Sequence, residues 1–349
     1  MLKKLLTPLK FILIFGLTAF LLWKSFDSID KDALEEGETK LGFIYKVWSE
    51  GSVLFFILSG GFTILSHVLR AERWKLLLKP IGYEVSLWNS FTAVINGYFV
   101  NLAIPRGGEV SRPITLGKLE GVPLNTSLGT VVMERIIDLF FLLLCVGTVF
   151  LFQFQTLLEF INEYNSRVVV AEDNNSLGLI HYGVIGLVSI SIAIGVLYVL
   201  KPDLFHLIKT KAIAFALGMK SGLLSVFKLE KRLLFFVYSV AIWVSYMMML
   251  WMILLAFPET ETLSFIDALT IFAVGGIALA MPSPGGAGTY HTMVPLAMVH
   301  LCGLTNLAKG VAFATIFHGW QTIIVIILGM IGLIVINNKR KSHVEPSKN

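Results

Sequence analysis

Apolar runs of about 20 residues recur along this chain and constrain its fold more than any other feature. Each run is long enough to cross a bilayer as a helix, in which the backbone N–H and C=O groups are satisfied internally. Hydrophobic residues make up 56% of the 349 residues and charged residues only 15%, against about 25% in soluble domains. The sequence therefore predicts an all-α polytopic membrane protein, built as a single integral domain over residues 1–349.

Six apolar segments are predicted to cross the membrane completely: 11–23, 52–69, 127–152, 178–200, 233–257 and 310–336. The first resembles a signal peptide, but bulky residues stand where a cleavage site needs small ones, so we expect it to remain as a span. Basic residues after the second span are expected on a short amphipathic piece at the membrane surface. They are Arg70, Arg73, Lys75 and Lys79.

Two further apolar segments are interrupted by proline and glycine. Asn101-Leu-Ala-Ile-Pro-Arg-Gly-Gly108 and Ala278-Leu-Ala-Met-Pro-Ser-Pro-Gly-Gly286 share Leu-Ala, an apolar residue, proline and then Gly-Gly. Proline removes a backbone donor and glycine lowers helix propensity, so neither segment continues as one helix. Paired broken segments in the two halves of a membrane chain point to a transporter site.

The distribution of basic residues orients the chain. Suppose that both termini are cytoplasmic and that each broken segment is re-entrant, or half of a short helical hairpin. The cytoplasmic segments then hold 21 Lys and Arg residues and the outer segments six. Residues 52–152 and 233–336 run in opposite senses, with 178–200 as connector and a short basic tail at 338–349. This predicts an inverted repeat, although the motif could also recur by chance in a glycine-rich membrane chain.

The first break carries groups suited to an anion. Irregular backbone at membrane depth survives only beside protein or a watery cavity, so we expect the two breaks to approach each other and line a common cavity. Glycine N–H groups can form an anion nest, and arginine suits phosphate through its bidentate fork. The two arginines could instead anchor the chain at the headgroup level. The candidate binding residues here are Pro105, Arg106, Gly107, Gly108, Glu109 and Arg112.

Three ionisable residues, Glu134, Arg135 and Asp138, lie early in the span 127–152. Glu134 and Asp138 are spaced i, i+4 and therefore share one helix face. Ionisable residues inside a span are costly and indicate either a functional site or a structural ion pair. Such a pair would join this helix to Arg106, to Arg112 or to a backbone break. The carboxylates could also couple transport to protons.

The second break supplies the remaining candidate binding residues. His291 ends this turn and could face the cavity. For His67, His300 and His318 we expect a hydrogen-bonded packing role. No zinc-protease, paired-cysteine or serine-hydrolase motif is present, so the sequence predicts no metal, no cofactor and no enzymatic activity. The candidates of the second break are Pro282, Pro284, Gly285, Gly286, Gly288 and His291.

Three stretches, Pro105–Arg112, Glu134–Asp138 and Pro282–Gly288, occur in this order along the chain. Together they resemble the hallmark stretches of the lysylphosphatidylglycerol synthase transmembrane (flippase-like) family, over residues 50 to 337. The resemblance implies a lipid-translocating membrane domain, which in aminoacylating members precedes a cytosolic transferase. Nine residues follow Arg340, so we expect this chain to act without that transferase. His291 stands where the resemblance implies an acidic residue.

These observations favour a stand-alone transporter for an anionic membrane lipid, either a phospholipid or a polyprenyl-phosphate-linked lipid. A bacterial cytoplasmic (inner) membrane is expected, since outer membranes hold barrels. One alternative is a non-transporting partner of a separate lipid-modifying enzyme, docking through the basic segment 201–232. Another is an intramembrane enzyme that uses His291 and Glu134. No phosphate-binding nucleotide motif is present, and the basic residues lie between spans, so neither an ATP-driven pump nor nucleic-acid binding is expected.

Overall fold

The computed structural model describes residues 38–154 and 202–344 except Pro282, together with scattered positions between 16 and 29. All regular secondary structure in these parts is helical. The predicted span 178–200 and most of 11–23 lie outside the described residues. Four described helices are long and apolar enough to cross a membrane: Val53–Ile81, Leu124–Phe152, Arg232–Leu254 and Leu307–Asn337. The all-α membrane class is therefore confirmed, whereas six complete spans and cytoplasmic termini stay predictions.

Within the described stretch 38–154 the chain forms five α-helices. They are α1 (Lys40–Glu50), α2 (Val53–Leu78), α3 (Leu87–Ala103), α4 (Gly108–Glu120) and α5 (Leu124–Phe152). Gly82, with φ of 91°, reverses the chain after α2, and the Ser86 hydroxyl then caps α3 by accepting from the Asn89 N–H. The helix α3 ends before Pro105, because the residue preceding a proline disfavours the helical conformation.

Five helices follow residue 202. They are α6 (Pro202–Leu223), α7 (Arg232–Leu254), α8 (Phe265–Ala280), α9 (Thr289–His300) and α10 (Leu307–Val344). A capping box starts α8, in which the Ser264 hydroxyl and the Asp267 carboxylate each bond to the other residue's backbone N–H. The last helix begins before the predicted start of the span at 310 and continues through Val344.

The helices α2–α5 and α7–α10, which we call the first half and the second half, follow the same order. Each half has a long helix, a short helix, a break, a short helix and a second long helix. In each half, the short helix before the break packs against the last helix of the other half, so α3 contacts α10 and α8 contacts α5. The two opening helices, α2 and α7, pack extensively on each other. Both breaks are therefore held within the helix packing.

The structure contradicts the predicted surface location of Arg70 and Arg73, and it decides between the re-entrant segment and the helical hairpin predicted around the first break. Because α2 is one helix to Leu78, no amphipathic surface piece starts at Arg70, and both Arg70 and Arg73 are buried. Their burial follows from carboxylate partners on α5, which supply the countercharge that lipid cannot. The polar residues after the first break form α4, so α3 and α4 make a short helical hairpin.

Candidate functional site

The two breaks lie against each other. The Arg106 Nη2 atom of the first break donates a hydrogen bond of 2.6 Å to the Ala280 carbonyl oxygen at the end of α8. Gly285 of the second break approaches Leu102 so closely that an added Cβ would lie 3.1 Å from its Cδ2 atom. The predicted approach of the two interrupted segments is thus confirmed for the described residues.

The first break bonds within its own hairpin. Arg106 adopts a left-handed conformation with φ of 57°, which is unusual for a residue other than glycine. The Gly107 N–H donates to the Ile104 carbonyl oxygen at 2.9 Å, and the Gly108 N–H donates to Asn101 Oδ1 at 2.6 Å. These two N–H groups, which we had expected to face an anion, are therefore already occupied.

The second break depends on backbone conformations that only glycine adopts readily. Gly285, Gly286 and Gly288 have φ values of 58°, 82° and 86°. The Thr289 hydroxyl, at the start of α9, bonds back to the Gly286 carbonyl oxygen at 3.2 Å. The His318 Nε2 atom of α10 lies 2.9 Å from the Gly285 carbonyl oxygen. The predicted hydrogen-bonded role of His318 is confirmed, and the bond fastens this turn to the last helix.

Ion pairs join α2 to α5 inside the first half. The Arg70 Nη1 atom lies 2.9 Å from Asp138 Oδ2, and the Arg73 Nη2 atom lies 2.8 Å from Asp138 Oδ1. The same Arg73 nitrogen is 3.5 Å from Glu134 Oε1. Arg135 Nη1 adds a longer contact of 3.6 Å to Asp138. The shared face that the i, i+4 spacing of Glu134 and Asp138 predicts is the face that meets α2.

Arg112 brings α4 into the same network. Its Nη1 atom lies 2.7 Å from Glu134 Oε2, and its guanidinium group stacks 3.7 Å from the centroid of the Trp74 ring. The Trp74 indole N–H in turn donates to the Thr130 hydroxyl at 2.8 Å, so the ring is fixed in place. The ion pair predicted between α5 and Arg112 is therefore confirmed, whereas Arg106, the other predicted partner, bonds to α8 instead.

Hydroxyl groups complete the network from two further helices. The Tyr246 hydroxyl of α7 accepts from Arg70 Nε at 3.2 Å and Nη2 at 2.8 Å, and it lies 3.4 Å from the Tyr98 hydroxyl of α3. Ser239 of α7 accepts from Arg73 Nη1 at 3.3 Å. Helices α2, α3, α4, α5 and α7 thus converge on one site. We call its ionised members the charged cluster: Arg70, Arg73, Arg112, Glu134, Arg135 and Asp138.

The charged cluster carries more positive than negative charge. Within the described residues, four guanidinium groups meet two carboxylates. Arg112 Nε and Nη2 and Arg73 Nε are buried without a hydrogen-bond partner among these residues. The Arg135 side chain is 44% exposed and opens the cluster to its surroundings. Surplus positive charge beside unpaired N–H donors is chemically suited to an anion with several oxygen acceptors.

The structure brings only part of the sequence-predicted site together. Arg112, Glu134, Arg135 and Asp138 meet in the charged cluster, while Glu109 lies in the first turn of α4 and makes none of its ion pairs. The glycines of the breaks shape the backbone instead. Proline 282 of the second break lies outside the described residues, so its predicted role stays untested.

Sequence reasoning missed Arg70 and Arg73, although a signal for them existed. Ser59, Thr63 and Arg70 follow each other at helical spacings along one face of α2, and all three side chains are buried. A polar stripe inside an apolar run indicates a helix face turned toward protein. Arg73 lies three residues after Arg70 on the same face, so this stripe predicts that both arginines lie in the interior.

An apolar cavity of about 360 Å³ lies between α2, α3 and α10. Its walls include Ile64, Trp88, Phe91 and Leu328. The volume falls in the range of roughly 300–1,000 Å³ found for ligand pockets. The side chains that line it are suited to hydrocarbon rather than to a polar headgroup.

Comparison with known proteins identifies the family. Residues 9–329 match the profile of the family described as the lysylphosphatidylglycerol synthase TM region. The chain belongs to this family. The match covers both breaks and the whole charged cluster, and it confirms the resemblance that the three sequence stretches indicate. The family, the four long apolar helices and the buried ion pairs all indicate an integral membrane protein.

One relative adds a partial match to this family assignment. A UPF0104 membrane protein of Methanocaldococcus jannaschii is 39% identical over 102 residues. That segment is 27% of this chain and 29% of the relative, so the likeness spans less than a third of either protein. No solved structure gives a significant match to this chain.

Proposed function

We propose that this protein is a transporter that moves an anionic lipid across a membrane, with the lipid headgroup bound at the charged cluster. The observation that carries the proposal is the surplus of two positive charges in the charged cluster, whose members are buried except for the partly exposed Arg135. An uncompensated charge inside a membrane costs several kcal/mol, on the order of 3 kcal/mol for each arginine on insertion scales. A phosphate group would supply the missing countercharge and is the natural ligand of arginine forks.

Named donors would hold the phosphate. Arg112 presents two unpaired nitrogen atoms and Arg73 one, while Arg135 is exposed enough to meet an arriving headgroup. Glu134 and Asp138 hold the guanidinium groups in place and prevent an even larger positive charge. The acyl or prenyl chains stay in hydrocarbon, and the apolar cavity between α2, α3 and α10 is suited to receive one of them.

The two halves supply a means of alternating access. In this proposal they are inverted repeats, related by an axis in the membrane plane, and the breaks are the points at which they meet. The shared order of helices and the exchange of contacts, α3 with α10 and α8 with α5, support this arrangement. The bond between Arg106 and Ala280 would open and close as one half moves against the other. A cytoplasmic membrane with both termini inside fits the positions of the basic segments.

Lipid translocation in reconstituted vesicles tests the proposal. Purified protein is placed in liposomes with fluorescent phosphatidylglycerol, fluorescent phosphatidylcholine or a fluorescent polyprenyl phosphate, with and without an imposed proton gradient. An impermeant quencher then reports which label crosses the bilayer. We expect an anionic label to cross faster than in empty liposomes and faster than phosphatidylcholine. The two anionic labels distinguish a phospholipid from a polyprenyl substrate.

Matched arginine variants make the test specific. Arg135→Gln removes the exposed member of the charged cluster and should slow translocation of the anionic label. Arg232→Gln removes an arginine outside the cluster, whose bonds within the described part of the chain go to the carbonyl groups of Phe227 and Leu229, and should leave the rate unchanged. Absence of anionic transport in the wild type, or equal rates in the two variants, would contradict the proposal.

A second candidate function is a membrane partner for a separate lipid-modifying enzyme. The end of α6 and the turn after it expose basic side chains, Lys220, Lys228 and Lys231, which favour an acidic protein surface. Co-purification from the native membrane, repeated with these lysines changed to glutamine, distinguishes this function. A stoichiometric partner that is lost only in the variant would favour it over transport.

A further inference from the structure

A line of polar side chains leads away from the charged cluster along α2. Ser59, Thr63 and His67 lie on the same face as Arg70, at spacings of three or four residues. All are buried, although α2 is one of the four helices apolar enough to span a membrane. Serine and threonine are common where membrane helices pack on each other, but ionisable side chains such as that of His67 are rare at membrane depth and mark protein interiors or pathways for ions and protons. The position of His67 in this line therefore calls for an account beyond helix packing.

The line continues onto α10 and ends at the second break. The Thr63 hydroxyl donates to Gln321 Oε1 at 2.7 Å, and Gln321 Nε2 lies 3.5 Å from the Ser59 hydroxyl. His318 stands one turn before Gln321 and contacts the Gly285 carbonyl oxygen. The ring of His291 on α9 lies 5.0 Å from the ring of His318. We call this set the polar track: Ser59, Thr63, His67, Gln321, His318 and His291.

His67 occupies the junction between the polar track and the charged cluster. The residue is only 4% exposed, and neither ring nitrogen has a hydrogen-bond partner among the described residues. Its ring packs 4.5 Å from the ring of Tyr98, whose hydroxyl meets that of Tyr246 and so reaches Arg70. We had expected a hydrogen-bonded His67, and this expectation is wrong. A buried imidazole without partners costs about 1–3 kcal/mol unless water or a transferred proton satisfies it.

We propose that the polar track conducts protons between the charged cluster and the second break. Imidazole accepts a proton at one nitrogen and releases one from the other, so His67, His318 and His291 can each pass a proton without net change. Residues three or four apart on a helix lie about 5–6 Å from each other, a gap that one water molecule spans. At each member of the relay one N–H or O–H bond forms and another breaks, so that the proton taken up at one end is balanced by the proton released at the other and no bond between heavier atoms changes.

The surroundings of the track differ at its two ends. On α2, Arg70 stands three residues after His67, so a fixed positive charge lies next to the imidazole at that end. At the other end, the described neighbours of the histidine pair are Tyr290, with its ring 5.4 Å from that of His318, and Ser25, which donates to the His291 carbonyl oxygen. Among the described residues, the charged and titratable groups that face this part of α2 from other helices are Tyr98, Arg112, Glu134, Arg135, Asp138, Tyr246 and His318.

Proton flux in liposomes tests this inference independently of lipid transport. Protein is reconstituted in liposomes of phosphatidylglycerol and phosphatidylethanolamine that contain a pH-sensitive dye, and a potassium gradient with valinomycin makes the interior negative. We expect acidification of the interior above that of empty liposomes. His67→Gln and His318→Gln keep a hydrogen-bonding side chain but cannot take a proton, so each should reduce the flux to that of empty liposomes. His300→Gln, at the end of α9 and outside the track, is the matched control and should conduct like the wild type.

Three results would overturn the inference. They are no proton flux in the wild type, wild-type flux in His67→Gln and His318→Gln, and loss of flux in the His300→Gln control. If His67→Gln does not elute as folded protein in size-exclusion chromatography, His318→Gln and Gln321→Leu interrupt the track on another helix and take its place. Proton flux without lipid movement would contradict the proposed function alone, whereas lipid movement without proton flux would contradict this inference alone.

Discussion

The two halves place different chemistry at corresponding positions. One turn after the break in the first half, Arg112 of α4 meets Glu134 of the following long helix. Within the first turn after the break in the second half, the ring of His291 of α9 lies 5.0 Å from the ring of His318 of the following long helix. The first pair joins two oppositely charged side chains, whereas the second joins two imidazole rings. The same arrangement of helices thus carries an ion pair in one half and a histidine pair in the other.

The difference also shows in how each contact is stabilised. The Arg112–Glu134 pair is supported by Arg73, Asp138 and the stacked Trp74 ring, so its charges are shared over several groups. The histidine pair rests on one hydrogen bond to Gly285 and on aromatic packing. Breaking a buried ion pair leaves an uncompensated charge, whereas losing a neutral hydrogen bond costs far less. The first half should therefore be much less tolerant of substitution than the second.

The largest effect should come from removing the carboxylate of the first half. Glu134→Gln leaves Arg112 without a countercharge and should destabilise the folded protein by about 3–5 kcal/mol. The equivalent change in the second half, His318→Gln, should cost about 1 kcal/mol, because one neutral hydrogen bond is altered. Unfolding of detergent-solubilised protein, followed by the apparent Tm, compares the two variants. The double variant Arg112→Leu with Glu134→Leu removes both charges of the pair and should recover part of the lost stability. Equal losses of stability in Glu134→Gln and His318→Gln would contradict this account.

An intermediate effect should separate the two breaks. A Cβ on Gly108 would overlap the Gly97 backbone carbonyl, so Gly108→Ala should force α3 and α4 apart and cost about 1–3 kcal/mol. Gly285→Ala meets chiefly a conformational penalty at φ of 58°, which is roughly 1–2 kcal/mol. The control is Gly61→Ala on α2, where an added Cβ contacts nothing within 4 Å and should leave the apparent Tm unchanged or slightly higher. A larger loss for Gly285→Ala than for Gly108→Ala would reverse the ranking.

The smallest effect should come from an ion pair at the edge of the second half. Lys309 Nζ lies 2.9 Å from Glu259 Oε1, and both side chains are partly exposed. Burial alone would raise the pKa of Glu259, but the hydrogen bond from Lys309 lowers it below its usual value overall. The pair therefore stabilises the fold above the unfolded-state pKa of the carboxyl group, and this contribution is lost as the pH falls through the lower folded-state pKa.

Glu259→Gln measures this edge contribution. The change should lower stability by less than about 1 kcal/mol at neutral pH, because solvent screens exposed pairs. The difference from the wild type should disappear in acid, when Glu259 itself is protonated. An effect as large as that of Glu134→Gln would mean that charge, and not burial, sets the contrast between the halves.

Features that depend on local chain chemistry could be predicted from the sequence. Proline and glycine located both breaks to within a few residues, because their conformational limits act without tertiary contacts. Glu134 and Asp138 could be predicted as candidate site residues, because an ionisable side chain inside an apolar run is exceptional whichever helix face it lies on. Their common face followed from helix geometry alone. The family resemblance rested on these same stretches.

Features that depend on packing could not be predicted in this way. The polar stripe of α2 indicates that Arg70 and Arg73 face protein, but it does not identify their partners. Those partners are carboxylates of α5, which are distant in sequence and meet the arginines only in the folded chain. Arg106 and Arg112 look alike in the motif, yet one reaches α8 and the other α5. Nothing in the local sequence reports that His67 lacks a hydrogen-bond partner, since that follows from every helix around it.

The hydrogen bond from Arg106 to Ala280 has a mechanical meaning. Ala280 ends α8, where the carbonyl groups of a helix terminus carry partial negative charge and attract a guanidinium group. The chain becomes non-helical next to both Arg106 and Ala280, so this hydrogen bond joins the two halves at their breaks. Arg106 and Ala280 are both exposed at the surface of the helix packing, so the donor and the acceptor of this bond are open to other partners when it breaks. Movement of one half against the other would thus break this hydrogen bond and leave the helices themselves intact.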